Sequence, residues 1–258
     1  MLGCLAAAAT AVGAPKGERQ PKGGGVTQTQ STVYEQPVWF EWEKGTLDVL
    51  IVPPNHGQLV NGNGVLNGGD PNELNPCTNS YVTAIRDSIA DWRTAVNTFG
   101  STGLKSTLVT KDYLVGCESV PQEALQEPEI VIATDETKAV ILGFAVAPLF
   151  EGVPCLVDNS KLFVTSFTEE DMYNVNGQEY GHCLGLEHVE YDGPSDGVLE
   201  DDVMWGTYEQ NPGDAGNHRQ CPSNLNVAGL ELVFGSLFGG PSGGTATLSP
   251  AEYQKISC

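Results

Sequence analysis

Two of the four histidines in this chain lie six positions apart, close to an acidic side chain and on either side of a glycine. His182 and His188 flank Gly185, and Glu179 lies three positions before the first of them. Imidazole nitrogens are good zinc ligands, and a carboxylate beside zinc can take a proton from the water that the ion activates. With this composition, an acid-x-x-His-x-x-Gly-x-x-His pattern arises by chance on the order of once in a thousand chains. The segment therefore predicts a metal site that activates water.

The spacing within this segment has a mechanical reason. Gln178 and His182 are four positions apart, so on a helix both side chains project from one face. Gly185 can adopt a left-handed backbone that ends the helix and turns the chain back, which would bring His188 to the same ion. Glu179 would lie beside the ion without binding it. We expect Gln178, His182 and His188 as metal ligands and Glu179 as the catalytic general base.

The run QEYGHCLGLEH at residues 178–188 resembles the zinc-binding signature of the metzincin metallopeptidases, His-Glu-x-x-His-x-x-Gly-x-x-His. Those enzymes also carry a methionine turn beneath the metal, and Met204 lies 16 residues after His188, within the expected range. The resemblance spans roughly residues 46–236, but only the 178–188 run and Met204 are specific. It implies a secreted endopeptidase with zinc as its cofactor and protein or peptide as its substrate.

Gln178 departs from the metzincin signature, which has His at this position, although some algal members of the gametolysin-like family are similar in having Gln there. An amide oxygen is a weaker zinc ligand than an imidazole nitrogen, so the expected metal affinity is lower. Two alternatives therefore stand beside an active peptidase. One is a metzincin-fold extracellular module that binds metal without turnover, and the other is a helix whose histidines serve no metal. His56 or His218 could replace Gln178 as the third ligand, and such a donor set could also favour copper or another divalent ion.

A loop dense in acidic residues follows the motif. Its members are Asp192, Asp196, Glu200, Asp201 and Asp202. Carboxylate oxygens are the ligands that Ca²⁺ prefers, so this composition suits a calcium site. The loop lacks the regular spacing of an EF-hand loop, and solvated acids are the default interpretation.

The charge balance limits the partners. The 258 residues include 12 Lys and Arg against 33 Asp and Glu, which gives a formal charge of −21. Nucleic acid and anionic membrane surfaces repel such a chain, so we expect neither as a partner. A glycosidase with paired carboxylates is a further hypothesis, but the acids show no recognisable placement for it. We expect a monomer.

The first residues predict export. Residues 1–14 form an apolar stretch of small residues that ends in Val-Gly-Ala, which is typical of a signal peptide. Residues 15–38 are rich in Gly, Gln and Pro and predict a flexible arm, which leaves residues 39–258 for the catalytic domain. An extracellular location also fits the even number of cysteines after the signal: Cys77, Cys117, Cys155, Cys183, Cys221 and Cys258. They predict three disulfides, in which Cys183 pairs with Cys155 or Cys221.

Hydrophobic spacing predicts the elements that would position the motif. Apolar residues at intervals of three and four predict helices over 80–99 and 223–234. Thr168 and Asp171 form a capping box, which predicts a helix from Glu169 towards Leu184. Ser249-Pro250 predicts a short last helix. Short apolar and β-branched runs predict extended segments over 46–52, 106–110, 129–134, 139–146 and 162–166.

This mixture of elements predicts an α+β fold. Together with the family resemblance, it implies a metzincin-like single domain. Its parts would be a mixed twisted sheet, an active-site helix, a backing helix and a C-terminal helix.

Overall fold

The computed structural model describes residues 33–53, 77–78, 80–133, 143–148, 153–159, 169–191, 198–205 and 219–258. The predicted signal peptide, most of the predicted arm and the extended segment over 162–166 lie outside the described residues. His56 and His218 lie outside them as well.

The described residues form eight strands and six helices. The strands are β1 (Tyr34–Pro37), β2 (Thr46–Ile51), β3 (Val109–Leu114), β4 (Ile130–Ala133), β5 (Phe144–Val146), β6 (Cys155–Asp158), β7 (Glu190–Tyr191) and β8 (Thr245–Leu248). The helices are α1 (Ser80–Phe99), α2 (Thr102–Thr107), α3 (Gln122–Gln126), α4 (Glu169–Cys183), α5 (Asn224–Val233) and α6 (Gly235–Phe238). A 3₁₀ turn lies at Leu199–Asp201. The predicted α+β class is confirmed.

A five-stranded sheet in the order β3-β2-β4-β6-β5 forms the centre of the fold. Its strands are parallel except β5, which pairs antiparallel with β6. Leu47, Val49 and Ile51 of β2 are all fully buried. Such continuous burial is typical of a parallel strand covered on its faces by helices.

Helices α1 and α4 pack against each other. The apolar side of α1 buries Ile85, Ile89 and Trp92, and the Trp92 indole N–H donates a 2.9 Å hydrogen bond to the carbonyl of Gly177 in α4. A Cβ at Gly181 would overlap the side chains of Trp92 and Met204. Glycine at this position therefore permits the close approach that seats α4 in the core.

A second, three-stranded antiparallel sheet has the order β7-β1-β8. Its central strand, β1, lies inside the segment predicted as a flexible arm, so the arm boundary at residue 38 is wrong. Tyr34 and Gln36 are both fully buried, and β1 is paired along both edges. These pairings join segments far apart in the chain, and they outweigh the polar, proline-containing character of the strand.

Three local predictions are confirmed and two are wrong. The helices predicted over 80–99, from Glu169 and over 223–234 are present as α1, α4 and α5. The strand predicted over 106–110 is wrong, because Ser101 caps α2 by accepting a hydrogen bond from the Leu104 N–H, and β3 begins only at Val109. The last helix predicted at Ser249 is a turn. The chain after this turn is extended, where Lys255 forms a β-bridge with Ser223.

Three disulfides are present, as predicted: Cys77–Cys117, Cys155–Cys183 and Cys221–Cys258. Cys183 pairs with Cys155, which was one of its two predicted partners. This bond joins the end of α4 to the start of β6. Within the described part of the chain, no helix is both long and apolar enough to cross a bilayer.

Candidate functional site

The C-terminus of α4 shapes the site. Gly185 has a φ of +104°, in the left-handed region, as the sequence predicts. Its N–H donates to the carbonyl of His182, and the Leu186 N–H donates to the carbonyl of Gly181. This pair of hydrogen bonds forms a Schellman motif, which satisfies carbonyls at the helix end and reverses the chain. The turn carries His188 back towards His182.

The two imidazoles face each other. The Nε2 atoms of His182 and His188 lie 3.1 Å apart, and the ring centroids lie 4.7 Å apart. The Nδ1 of His182 lies 2.7 Å from the carbonyl oxygen of Leu186. A carbonyl oxygen only accepts, so Nδ1 carries the proton and Nε2 keeps its lone pair. A hydrogen bond of this kind to the outer ring nitrogen is typical of a metal-ligating histidine.

His188 is exposed, but its neighbours are held on both sides. Before it, the Glu187 N–H donates to the carbonyl of Pro37, and the Gln36 side-chain amide donates to the carbonyl of Glu187. After it, the Val189 N–H donates to the carbonyl of Met204. The segment that carries His188 is therefore fixed between β1 and the chain around Met204.

Gln178 lies on α4, one helical turn before His182. Its Nε2 donates a 2.9 Å hydrogen bond to the carbonyl of Trp205. Only the amide nitrogen can donate to a carbonyl, so this bond fixes the orientation of the amide and leaves Oε1 as its electron-pair donor. An amide oxygen held in this way is the chemical group that the predicted ligand role requires.

Glu179 is buried, with 9% of its surface exposed. Burial raises the pKa of its carboxyl to about 7, while a hydrogen bond from the Ala145 N–H of β5 lowers it. A carboxyl with a pKa near neutrality is suited to exchange protons at physiological pH. Its position beside the end strand of the main sheet gives it a fixed backbone contact.

Burial also controls the protonation of the two histidines. It lowers the pKa of His182 to about 4, with a further lowering from the charge of His188. Burial lowers the pKa of His188 too. Both rings are therefore neutral at pH 7, which is the form that binds metal ions.

Met204 is fully buried beneath α4, with its sulfur against Gly181. Its N–H donates a 2.8 Å hydrogen bond to Oδ1 of Asp202. The same carboxylate accepts hydrogen bonds from Asn226 Nδ2 at 3.0 Å and from the Tyr253 hydroxyl at 2.7 Å. Asp202 thus holds the segment that carries Met204 to α5 and to the C-terminal segment.

This arrangement corrects part of the interpretation of the acidic loop. Solvated acids were the default for the loop, but Asp202 has no exposed surface. Asp201 is exposed and forms an ion pair with Lys255. Asp192 and Asp196 lie outside the described residues, and the calcium site stays a prediction.

Sequence reasoning missed three residues around the site: Gln36, Asn226 and Trp39. The Asn226 amide donates to Gln36 Oε1 at 2.9 Å, which completes the link from α5 through β1 to the carbonyl of Glu187. Trp39 is 39% exposed, and its ring meets His182 edge to face at 5.8 Å. No local pattern marks these residues, because their partners lie more than a hundred positions away.

The donor set is compatible with zinc. Two nitrogens bound to a tetrahedral zinc at about 2.0–2.1 Å would be separated by about 3.3 Å. The observed 3.1 Å between Nε2 atoms is close to this value. No cluster of three His, Cys, Asp or Glu side chains that could hold a metal occurs among the described residues. Within them, the donors that this segment offers are the two imidazoles and the Gln178 amide.

Comparison with known proteins adds no assignment. No protein-family model matches this chain, and no curated protein matches its sequence.

Proposed function

We propose that this chain is a secreted, zinc-dependent endopeptidase of the metzincin type. The observation that carries the proposal is the 3.1 Å separation of the His182 and His188 Nε2 atoms, with the proton of His182 held on Nδ1 by Leu186. These two nitrogens would hold the metal, together with Oε1 of Gln178. The neutral state of both rings at pH 7 supports this assignment.

Bound zinc would supply a Lewis acid that lowers the pKa of water to about 7 and polarises a peptide carbonyl. Glu179 accepts the proton of the attacking water, and its pKa of about 7 leaves much of it ionised near neutral pH. The same carboxyl then delivers this proton to the leaving amine. The hydrogen bond from the Ala145 N–H holds the carboxyl in place during both transfers.

Export is supported by the three disulfides, because such bonds persist in oxidising compartments. The apolar stretch over residues 1–14 supports the same location. Cleavage of proteins outside the cell is therefore the activity to assay.

Gln178 favours a second candidate function, an extracellular module with the same fold that binds metal without turnover. Its amide is held by the carbonyl of Trp205 and is a weaker ligand than imidazole. The buried carboxyl of Glu179 favours the first candidate, because a module that only binds metal does not need an acid with a raised pKa.

Elemental analysis of the purified full chain, paired with a casein-cleavage assay, distinguishes these candidates. The peptidase proposal predicts zinc at one ion per chain, cleavage that a chelator abolishes, and recovery on addition of zinc. Zinc without cleavage would favour the metal-binding module. Absence of both bound metal and chelator-sensitive cleavage would overturn the proposal.

A further inference from the structure

A cavity of about 160 Å³ lies between α1, β3 and α4. Its walls include the apolar side chains of Trp92, Val96, Leu108 and Leu184. Val109, which is 40% exposed, lies at its rim. The cavity is thus lined by apolar groups and reached from the surface.

Two hydroxyl groups in this cavity lack partners. Tyr180 and Thr110 both line it, and the Tyr180 side chain is 1% exposed. The two hydroxyls lie near each other, but neither makes a hydrogen bond of normal geometry. Buried polar groups are nearly always hydrogen-bonded, so a pair of unpartnered hydroxyls in an apolar cavity calls for a molecule that bonds to them.

This cavity is separate from the candidate metal site. Tyr180 is two positions from both Gln178 and His182, so its side chain leaves α4 on nearly the opposite face. The inference below therefore does not depend on the proposed function.

We propose that the cavity binds a compact cyclic molecule of about the size of phenol, with a single hydroxyl group. An engineered protein cavity of about 150 Å³ binds benzene, so the observed volume accommodates one six-membered ring. The apolar walls bury the ring. The ligand's hydroxyl donates to one of the Tyr180 and Thr110 oxygens and accepts from the other, which satisfies both.

Calorimetric titration of the full chain with phenol and with benzene tests the proposal. Phenol should bind, and Tyr180→Phe and Thr110→Val should each weaken its binding by about 3- to 10-fold, because each removes one hydrogen bond. Benzene affinity should change little in either variant. Tyr113→Phe is the matched control, because it makes the same chemical change on a β3 residue that does not line the cavity.

Two results would overturn the proposal. One is the absence of phenol binding to the wild-type chain, which would mean that the cavity holds only water. The other is equal phenol affinity for the wild type and both cavity variants. If Tyr180→Phe does not fold, the Thr110→Val variant decides the matter alone.

Discussion

The side-chain amide of Gln36 donates a 2.6 Å hydrogen bond to the carbonyl of Glu187, a residue 151 positions away that directly precedes His188. Gln36 is fully buried, and its own oxygen accepts a hydrogen bond from Asn226. The position of the second imidazole therefore depends on a strand near the start of the described chain. A polar side chain far from the motif in sequence sets the geometry of the motif.

Gln36→Ala should destabilise the fold and weaken metal binding. It leaves the Glu187 carbonyl and the Asn226 amide short of a partner, which costs about 1–3 kcal/mol in the free energy of unfolding. Zinc affinity should fall by about tenfold, as it does when groups that orient ligands are removed. Urea unfolding and chelator competition measure the two effects.

Gln122→Ala is the matched control for this experiment, because Gln122 is exposed on α3. It should change neither quantity. Unchanged zinc affinity in Gln36→Ala would contradict the role of Gln36 in positioning His188.

Substitutions at Gln178 test whether its amide is a ligand. Gln178→His should raise zinc affinity at neutral pH and make it fall more steeply in acid, because imidazole is the stronger ligand and takes up a proton. Gln178→Ala should lower affinity by a smaller factor than His182→Ala. Chelator competition at two pH values measures both. Equal affinities for the wild type and both Gln178 variants would show that this residue does not touch the ion.

The disulfide between Cys155 and Cys183 should stabilise both the fold and the site. It closes a separation of 28 residues, for which loop-closure entropy gives roughly 3–4 kcal/mol. Replacing both cysteines with alanine should lower the free energy of unfolding by about that amount. It should also lower zinc affinity, because Cys183 adjoins His182.

The bond between Cys77 and Cys117, with a separation of 40 residues, provides the control. Its removal should cost comparable stability in the same unfolding experiment. It should leave zinc affinity unchanged. Loss of affinity in both double variants to the same degree would argue against a specific link between Cys183 and the site.

Asp202 should make stability depend on pH. Burial raises the pKa of its carboxyl above the ordinary value of 3.8, even though hydrogen bonds from Ser223, Tyr253, Met204 and Asn226 lower it. Its contribution to stability is therefore fully present below the unfolded-state pKa and is lost as pH rises through the folded-state pKa. Asp202→Asn does not titrate. The unfolding free energy of this variant minus that of the wild type should thus rise between about pH 3 and about pH 8.

Asp201→Asn is the control for this pH series, because Asp201 is exposed and paired with Lys255. It should show a much smaller change in the same difference. A value for Asp202→Asn that stays constant or falls with pH would contradict the assigned direction of the pKa shift.

Much of the site could be predicted because its determinants are local. The apolar stripe that makes α1 a helix lies within twenty residues, and Gly185 ends α4 through hydrogen bonds to carbonyls three and four positions back. Helical spacing then places Gln178 and His182 on one face. Periodicity and turn chemistry act over such short distances, and the sequence displays them directly.

The remaining features depend on contacts between distant segments. Strand β1 has few apolar residues and ends in proline, and it is a strand because β7 and β8 pair with both of its edges. Asp202 reads as one acid in an acidic loop, and its burial follows from Asn226 and Tyr253. Residues near Ser249 have a helix-start pattern, but the following chain is bound to Pro222 and Ser223. Such long-range pairing outweighs local propensity.

The most direct test of the central claim is the casein-cleavage rate of the Glu179→Ala variant at the same zinc content as the wild type. Glu179 is proposed to act on water and not on the ion, so zinc content should be unchanged. Cleavage should fall by about 100- to 10,000-fold, the usual contribution of a general base. Glu169→Ala, an exposed acid on the same helix, should retain full activity. Wild-type cleavage by the zinc-loaded Glu179→Ala variant would contradict the proposed mechanism.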